Sequence, residues 1–339
     1  MIRLIWRFLQ TRNNVLPCFY GLLSIGFAIG SFLIHPILLL ASIASIFFTY
    51  VETVTQLSFR APKYRKPLLE DESWVKTVHD IGSNQILSYI PLKHVKSKPT
   101  LLLVHGWTSG ASRMVGRAEL FRSRGWNVIL VDLPSHGGSS RVQKWTAEYA
   151  TTSVLGVMNE LYSLGHVNGK NELFYYGHSM GGFIGLRLSE RRNELSWKPV
   201  FGGWILESPM TGYTEIFDET NRILRIPKAL QRIVLWRMIS QFNDLNIGRP
   251  KISHLEQTDA PIWGMTSEPT LLIQAHNDER LGDTHYLRLE DAFSKSGNGH
   301  LLTSNIMEDL RHSGCAIHER RDVVVNQWLD KVRNYSSSD

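Results

Sequence analysis

From Val15 to Val51 the sequence is almost free of charge. At roughly 37 residues, this run far exceeds the apolar core of a secretory signal peptide, which is roughly 7–15 residues long. A membrane span takes about 20 residues, so the run predicts either one span with apolar flanks or two short spans turning near His35 and Pro36. Arg3, Arg7 and Arg12 precede it, and Arg60, Lys63, Arg65 and Lys66 follow it. A re-entering hairpin satisfies that symmetry by leaving both ends, and the domain that follows, on the cytoplasmic side, whereas a single span leaves the orientation open. The competing expectation is a helix pair buried in a soluble core, which such a long uncharged run disfavours.

Beyond the basic flank the pattern changes to short apolar runs alternating with helical periodicity. Val75–Val78 and Ile86–Ile90, separated by Gly82, Ser83 and Asn84, predict an opening hairpin. Thr100–Val104 is unbroken by charge, as expected of a strand buried on both faces of a parallel sheet. Further strands are predicted at 127–131, 173–176, 200–206, 270–274 and 303–307. Helices are predicted at 111–124, 146–164, 180–191, 284–293 and 321–332. This alternation implies an α/β fold, with a mostly parallel sheet and helices on both faces.

The alternation lapses between Ser208 and Trp263, which predicts an insertion above the strand ends, a candidate lid. Within it, Pro227–Phe242 carries Leu230, Ile233, Val234 and Met238 at near-helical spacing, interrupted by Lys228, Arg232 and Arg237. That is a basic amphipathic helix, either packed on the domain or also touching anionic lipid. The expected organisation is an anchor over residues 1–60, a domain over 61–335 with its insertion at about 208–263, and a polar tail over 336–339.

Composition narrows the function classes. The 339 residues are 43% hydrophobic and 20% charged, enough to bury one large core with an appendage. A formal charge of +6 spread over scattered basic residues lacks the dense stripe of a nucleic-acid binder. With Cys18 and Cys315 as the only cysteines, neither a disulfide framework nor a four-cysteine zinc site is available.

Gly177-His178-Ser179-Met180-Gly181 follows a predicted strand and opens a predicted helix, the context of a nucleophile elbow. The tight turn lifts the serine hydroxyl above the sheet, and small neighbours are needed because a side chain there would press on adjacent backbone. The N–H of Met180, at the helix start, points toward charge developing on a substrate oxygen.

With these residues in place the chain resembles the α/β-hydrolase family over roughly Ser73 to Asn334. Leu101–Gly106, LLLVHG, is similar to the strand and turn whose next residue, here Trp107, supplies the second oxyanion-hole N–H. Val131–Ser139, VDLPSHGGS, is similar to the segment after the next strand, with Asp132, His136 and Gly137 at the familiar places. GHSMGG completes the set. The resemblance implies an α/β-hydrolase fold with a short helical lid, preceded here by a transmembrane helix or hairpin. It also implies a serine, acid and histidine in that order. Leu271–Leu281, LLIQAHNDERL, resembles the strand and loop of monoglyceride-lipase-like members and implies Asp278 as the acid. Asp283 and Glu279 lie close by, and Glu207 is a further alternative, because some members take the acid from the preceding strand. Glu308–Glu319 offers two histidines, His312 directly after the last predicted strand and His318 at a helix start; the usual preceding glycine is Arg311 here. His312 fits the family spacing to the final helix. His105 and His136 belong to loop motifs with structural roles, holding the oxyanion loop and its neighbour, and His178 serves the surroundings of the elbow.

These roles imply acyl transfer through Ser179, His312 and Asp278, with the N–H groups of Trp107 and Met180 holding the oxyanion. No metal or organic cofactor is required. A serine rather than an aspartate at the elbow argues against aspartyl-ester chemistry. The leading expectation is a membrane-bound hydrolase of lipid-like carboxylic esters. The same groups would serve a thioesterase, protein deacylase, peptidase or acyltransferase, and a catalytically silent binding protein is the alternative from another class.

Overall fold

The computed structural model describes residues 14–95, 97–169 and 172–336, together with residues 9 and 12. Arg3 and Arg7 of the basic flank, and residues 337–339 of the polar tail, lie outside them. The chain divides into two compact units. One comprises Met1–Ala61, Val142–Thr146 and Thr214–Leu255, and the other Pro62–Arg141, Ala147–Tyr213 and Glu256–Asp339.

In the larger unit an eight-stranded sheet runs in the order β1-β2-β4-β3-β5-β6-β7-β8. Its strands are β1 (Trp74–Ile81), β2 (Asn84–Pro91), β3 (Thr100–Val104), β4 (Asn127–Val131), β5 (Glu172–His178), β6 (Val200–Glu207), β7 (Thr270–Ala275) and β8 (Leu302–Met307). β1 and β2 form the expected hairpin, β2 meets β4 antiparallel, and every pairing from β4 to β8 is parallel. All five residues of β3 and of β4 are buried, as their uncharged runs predicted. Leu101, Leu103, Val128, Leu130, Phe174, Tyr176 and Ile273 pack in one cluster with Phe121, Val325 and Trp328 from flanking helices. Each such side chain contributes roughly 1.5–3 kcal/mol when taken from water.

The smaller unit is helical. Helix α1 (Val15–Leu33) and helix α2 (Leu38–Ser58) form a hairpin that turns over residues 34–37, at His35 and Pro36. Midway along, its buried positions are small, Ser24, Gly30, Ser42 and Ser45, while its exposed side chains are large and apolar. Ser42 Oγ donates to the Ser24 carbonyl at 2.9 Å, and Gly30 is buried against the Leu38 side chain. Phe19, Leu22, Ile25, Ile29, Leu40, Ile43 and Ile46 face outward and exposed. A soluble core pair would bury those residues. Both helices are long and apolar enough to cross a membrane.

The insertion contributes two helices to this unit, α3 (Thr214–Ile223), which was not among the predicted helices, and α4 (Lys228–Leu245). Leu230, Leu235 and Met238 join Val234 in packing against Phe47, Tyr50, Val51 and Val54 of α2. Two positions depart from the expected stripe. Ile233 is exposed, and Arg237 is buried, where its Nε donates to Glu52 Oε1 at 2.5 Å and its Nη2 to Gln241 at 2.9 Å. A carboxylate on the neighbouring helix accounts for the inward arginine, since a buried charge is tolerated when paired.

Candidate active site

Strand β5 ends at His178 and the next helix begins at Met180, so Ser179 occupies a one-residue corner with φ 53 and ψ −116. Few L-residues adopt that backbone, and the surroundings hold it there. The Ser179 N–H donates to the Glu207 carbonyl at 2.9 Å, and the Ser179 carbonyl accepts from the N–H of Met210 at 3.1 Å. The flanking glycines are sterically required. A Cβ on Gly177 would lie 2.5 Å from the Gly181 backbone, and one on Gly181 would lie 2.1 Å from the Val104 carbonyl oxygen.

The structure brings Ser179, His312 and Asp278 into one hydrogen-bonded line. Ser179 Oγ lies 2.9 Å from His312 Nε2, and His312 Nδ1 lies 2.7 Å from Asp278 Oδ2. Asp278 stands just past the end of β7, and His312 follows β8 in the loop before the final helix, Glu319–Ser336. Asp278 is buried, and its other oxygen accepts the N–H groups of Arg280 and Leu281 at 2.9 Å each. Burial pushes its carboxyl up, but the bond to His312, that ring's charge and the two backbone donors outweigh it and leave it below its ordinary value.

None of the alternatives weighed from sequence bonds the Ser179 hydroxyl or the His312 ring with its side chain among the described residues. Glu279 and Asp283 are exposed. Glu207 accepts Arg117 Nε at 2.8 Å, a second Arg117 donor and the Tyr176 hydroxyl. Burial pushes the Glu207 carboxyl up, but Arg117 more than offsets it and holds the group far below the carboxylate range. His318 accepts the Arg321 N–H at 3.1 Å with Nδ1 and so caps the last helix, consistent with its place at a helix start.

The loop motifs build the wall beside Ser179. His105 Nε2 accepts the Leu133 N–H at 3.1 Å, so its Nδ1–H donates to the Gly106 carbonyl at 2.8 Å. His136 Nε2 accepts the Thr108 N–H at 3.2 Å and its Nδ1–H donates to Pro134. Burial pushes His105 down to about 4 and, with His105 adding to it, His136 down to about 3, so both stay neutral. Asp132 accepts the Ala111 and Gly138 N–H groups at 2.7 and 2.9 Å, and a Cβ on Gly137, at φ 45, would overlap its carboxylate. Together these bonds fix residues 105–111, which carry Trp107 in the turn directly after β3. Met180 opens its helix, so its N–H has no intrahelical acceptor and remains available to an oxyanion.

Sequence reasoning missed the support behind the histidine. His178 Nε2–H donates to the His312 carbonyl at 2.8 Å; desolvation and then Arg117 push this ring down to about 3, so it stays neutral. Arg321, fully buried, donates to the Cys315 and Ala316 carbonyls at 2.8 and 3.3 Å and lies 3.7 Å from Glu207. Glu207 thereby ties the elbow to the His312 loop. Residues so far apart in sequence carry no local signal for such a link. A second serine, histidine and acid also align, Ser88, His79 and Glu160, at 2.7 and 2.9 Å. Ser88 and His79 are fully buried between strands and helix, which leaves no room for a substrate acyl group.

A family model described as serine aminopeptidase, S33 matches residues 95–286, a span that contains Ser179 and Asp278 and stops before His312. No curated protein matches the sequence significantly. Among solved structures, an esterase of Pyrococcus furiosus superposes with a TM-score of 0.55 at 15% identity, over 81% of this chain and 97% of that one. Alpha/beta hydrolase domain-containing protein 10 from mouse gives 0.52 at 16% identity, over 76% and 99%. An alpha-beta hydrolase from Vibrio vulnificus gives 0.51 at 16%, over 78% and 81%. At such identities the likeness bears on the fold alone.

Proposed function

This chain belongs to the serine aminopeptidase S33 family of α/β hydrolases, and from that premise we propose that it is a membrane-anchored serine hydrolase cleaving carboxylic esters, with lipid-like acyl esters as its substrate class. The observation behind this reading is the unbroken line from Ser179 Oγ through the His312 ring to Asp278, at 2.9 and 2.7 Å. A serine hydroxyl is a poor nucleophile at neutral pH and needs a base within hydrogen-bond reach. His312 Nε2 takes the hydroxyl proton as Oγ attacks the ester carbonyl, and Asp278, ionised at neutral pH, stabilises the imidazolium through Nδ1–H. The N–H groups of Trp107 and Met180 stabilise the oxyanion, each such donor contributing about 3 kcal/mol in comparable enzymes. His312 then protonates the leaving alcohol. Water, deprotonated by the same ring, attacks the acyl-enzyme and releases the acid.

The ester preference rests on the apolar hairpin, which would hold the enzyme where acyl lipids are concentrated. The family description favours a second reading, removal of an N-terminal amino acid from a peptide. Full-length protein in detergent micelles, offered p-nitrophenyl acyl esters, a monoacylglycerol and aminoacyl p-nitroanilides, separates the two. Turnover of the esters with little on the anilides is the expected result; preferential anilide cleavage would make the enzyme a peptidase.

A further inference from the structure

The basic helix of the insertion has an inner face that is accounted for and an outer face that is not. Inward, Leu230, Val234 and Met238 pack on α2, and Arg237 is held by Glu52. Outward, Lys228, Arg232 and Trp236 follow one another at four-residue spacing beside Ala229 and Ile233, all exposed, and the preceding turn exposes Ile223, Leu224 and Arg225. Trp236 is 69% exposed and Ile223 65%. Arg222 pairs with Glu219 at 3.1 Å, whereas Arg225, Lys228 and Arg232 make no ion pair among the described residues. A stripe of cations interleaved with tryptophan and aliphatic side chains is unfavourable toward water alone and matches the boundary between anionic headgroups and acyl chains.

We propose that the outer face of α4 and the turn before it form a second lipid-contacting surface, one that docks on anionic phospholipid headgroups beside the hairpin. The placement within the helical unit supports this. Measured along α2 from its first residue, Val51 and Val54, which abut α4, stand about 20 and 24 Å away at 1.5 Å per residue. A hydrocarbon core is about 30 Å thick, so a hairpin that turns within or beyond it brings this end of α2 back toward the headgroups. The buried Glu52–Arg237 pair then fixes α4 at that level. Each free cation near an anionic surface adds roughly five-fold to its occupancy at physiological salt.

The proposal rests on the reading of α1 and α2 as a membrane hairpin, and its test reports on both separately. Full-length protein carrying Cys18→Ser and Cys315→Ser receives one spin label, at Ile233→Cys or at Ile29→Cys. Each is reconstituted into vesicles of phosphatidylcholine alone or with one-third phosphatidylserine, and the ratio of oxygen to nickel-chelate accessibility gives depth. The hairpin reading requires a membrane-buried ratio at residue 29 in both lipids. The docking proposal requires an interfacial ratio at residue 233 with phosphatidylserine, reverting to the aqueous value in the exposed triple variant Arg225→Glu/Lys228→Glu/Arg232→Glu. An aqueous ratio at residue 233 in both lipids, or one unchanged by the charge reversals, overturns docking whatever residue 29 reports.

Discussion

Ser179 sits at φ 53, a backbone conformation that a serine adopts only when its neighbours impose it, and the two glycines around it leave no space for a Cβ. That corner was legible because its determinants are contiguous: small, nucleophile and small residues between a buried strand and a helix. The histidine was harder, since His312 and His318 lie in one short segment and the sequence carries no record of which way each ring turns. The structure turns His312 to Ser179 Oγ and His318 to the start of the last helix. His312→Ala is therefore expected to lower kcat by at least about 10³-fold. His318→Ala should leave kcat within a few-fold and cost about 1 kcal/mol of stability as a lost helix cap. Steady-state ester hydrolysis and thermal denaturation of the two variants check this, and the reverse pattern would reassign the base.

At the scale of elements, the central strands were readable because burial on both faces requires uncharged runs, and β3 and β4 lie where those runs predicted. The insertion was less legible. Helix α3 spans ten residues, and although Ile216, Phe217 and Ile223 share one face, three apolar positions in so short a stretch give a pattern too brief to single out between loops. In α4 the apolar stripe was assigned by residue type, which placed Ile233 inside and Arg237 outside, but the carboxylate of Glu52 reverses the two. Arg237→Ala should destabilise the helical unit by about 3–5 kcal/mol by leaving Glu52 buried without its partner. Replacing both by methionine should cost far less. Denaturation in detergent distinguishes these outcomes; equal losses in the single and double variants would mean the pair contributes nothing specific.

For the whole molecule, the buried neutral histidines couple stability to pH. His105 and His136 bind protons only near pH 4 and 3 when folded, against about 6.5 when unfolded. The unfolded chain therefore binds more protons below about pH 6.5, and stability falls as pH drops through that window, by up to about 2 kcal/mol per histidine at pH 5. Glu207 and Asp278, both depressed, act in a lower window: their contribution is present at neutral pH and is lost only below about pH 4. Thermal midpoints should thus decline between pH 7 and pH 5, above the window of Glu207 and Asp278, and a flat profile there would contradict the burial of these rings. The network that holds the Glu207 carboxyl down, from Arg117 through Glu207 to Arg321, lay beyond sequence reading because its members meet only once the sheet has formed.

The proposed chemistry requires Ser179 to be an activated nucleophile, and covalent labelling of full-length protein by a fluorophosphonate probe tests that directly. The expected result is one adduct, mapped to Ser179 by peptide mass spectrometry, absent in Ser179→Ala and strongly slowed in His312→Ala. Labelling that persists in Ser179→Ala, or a folded wild-type protein that takes no probe, would contradict it.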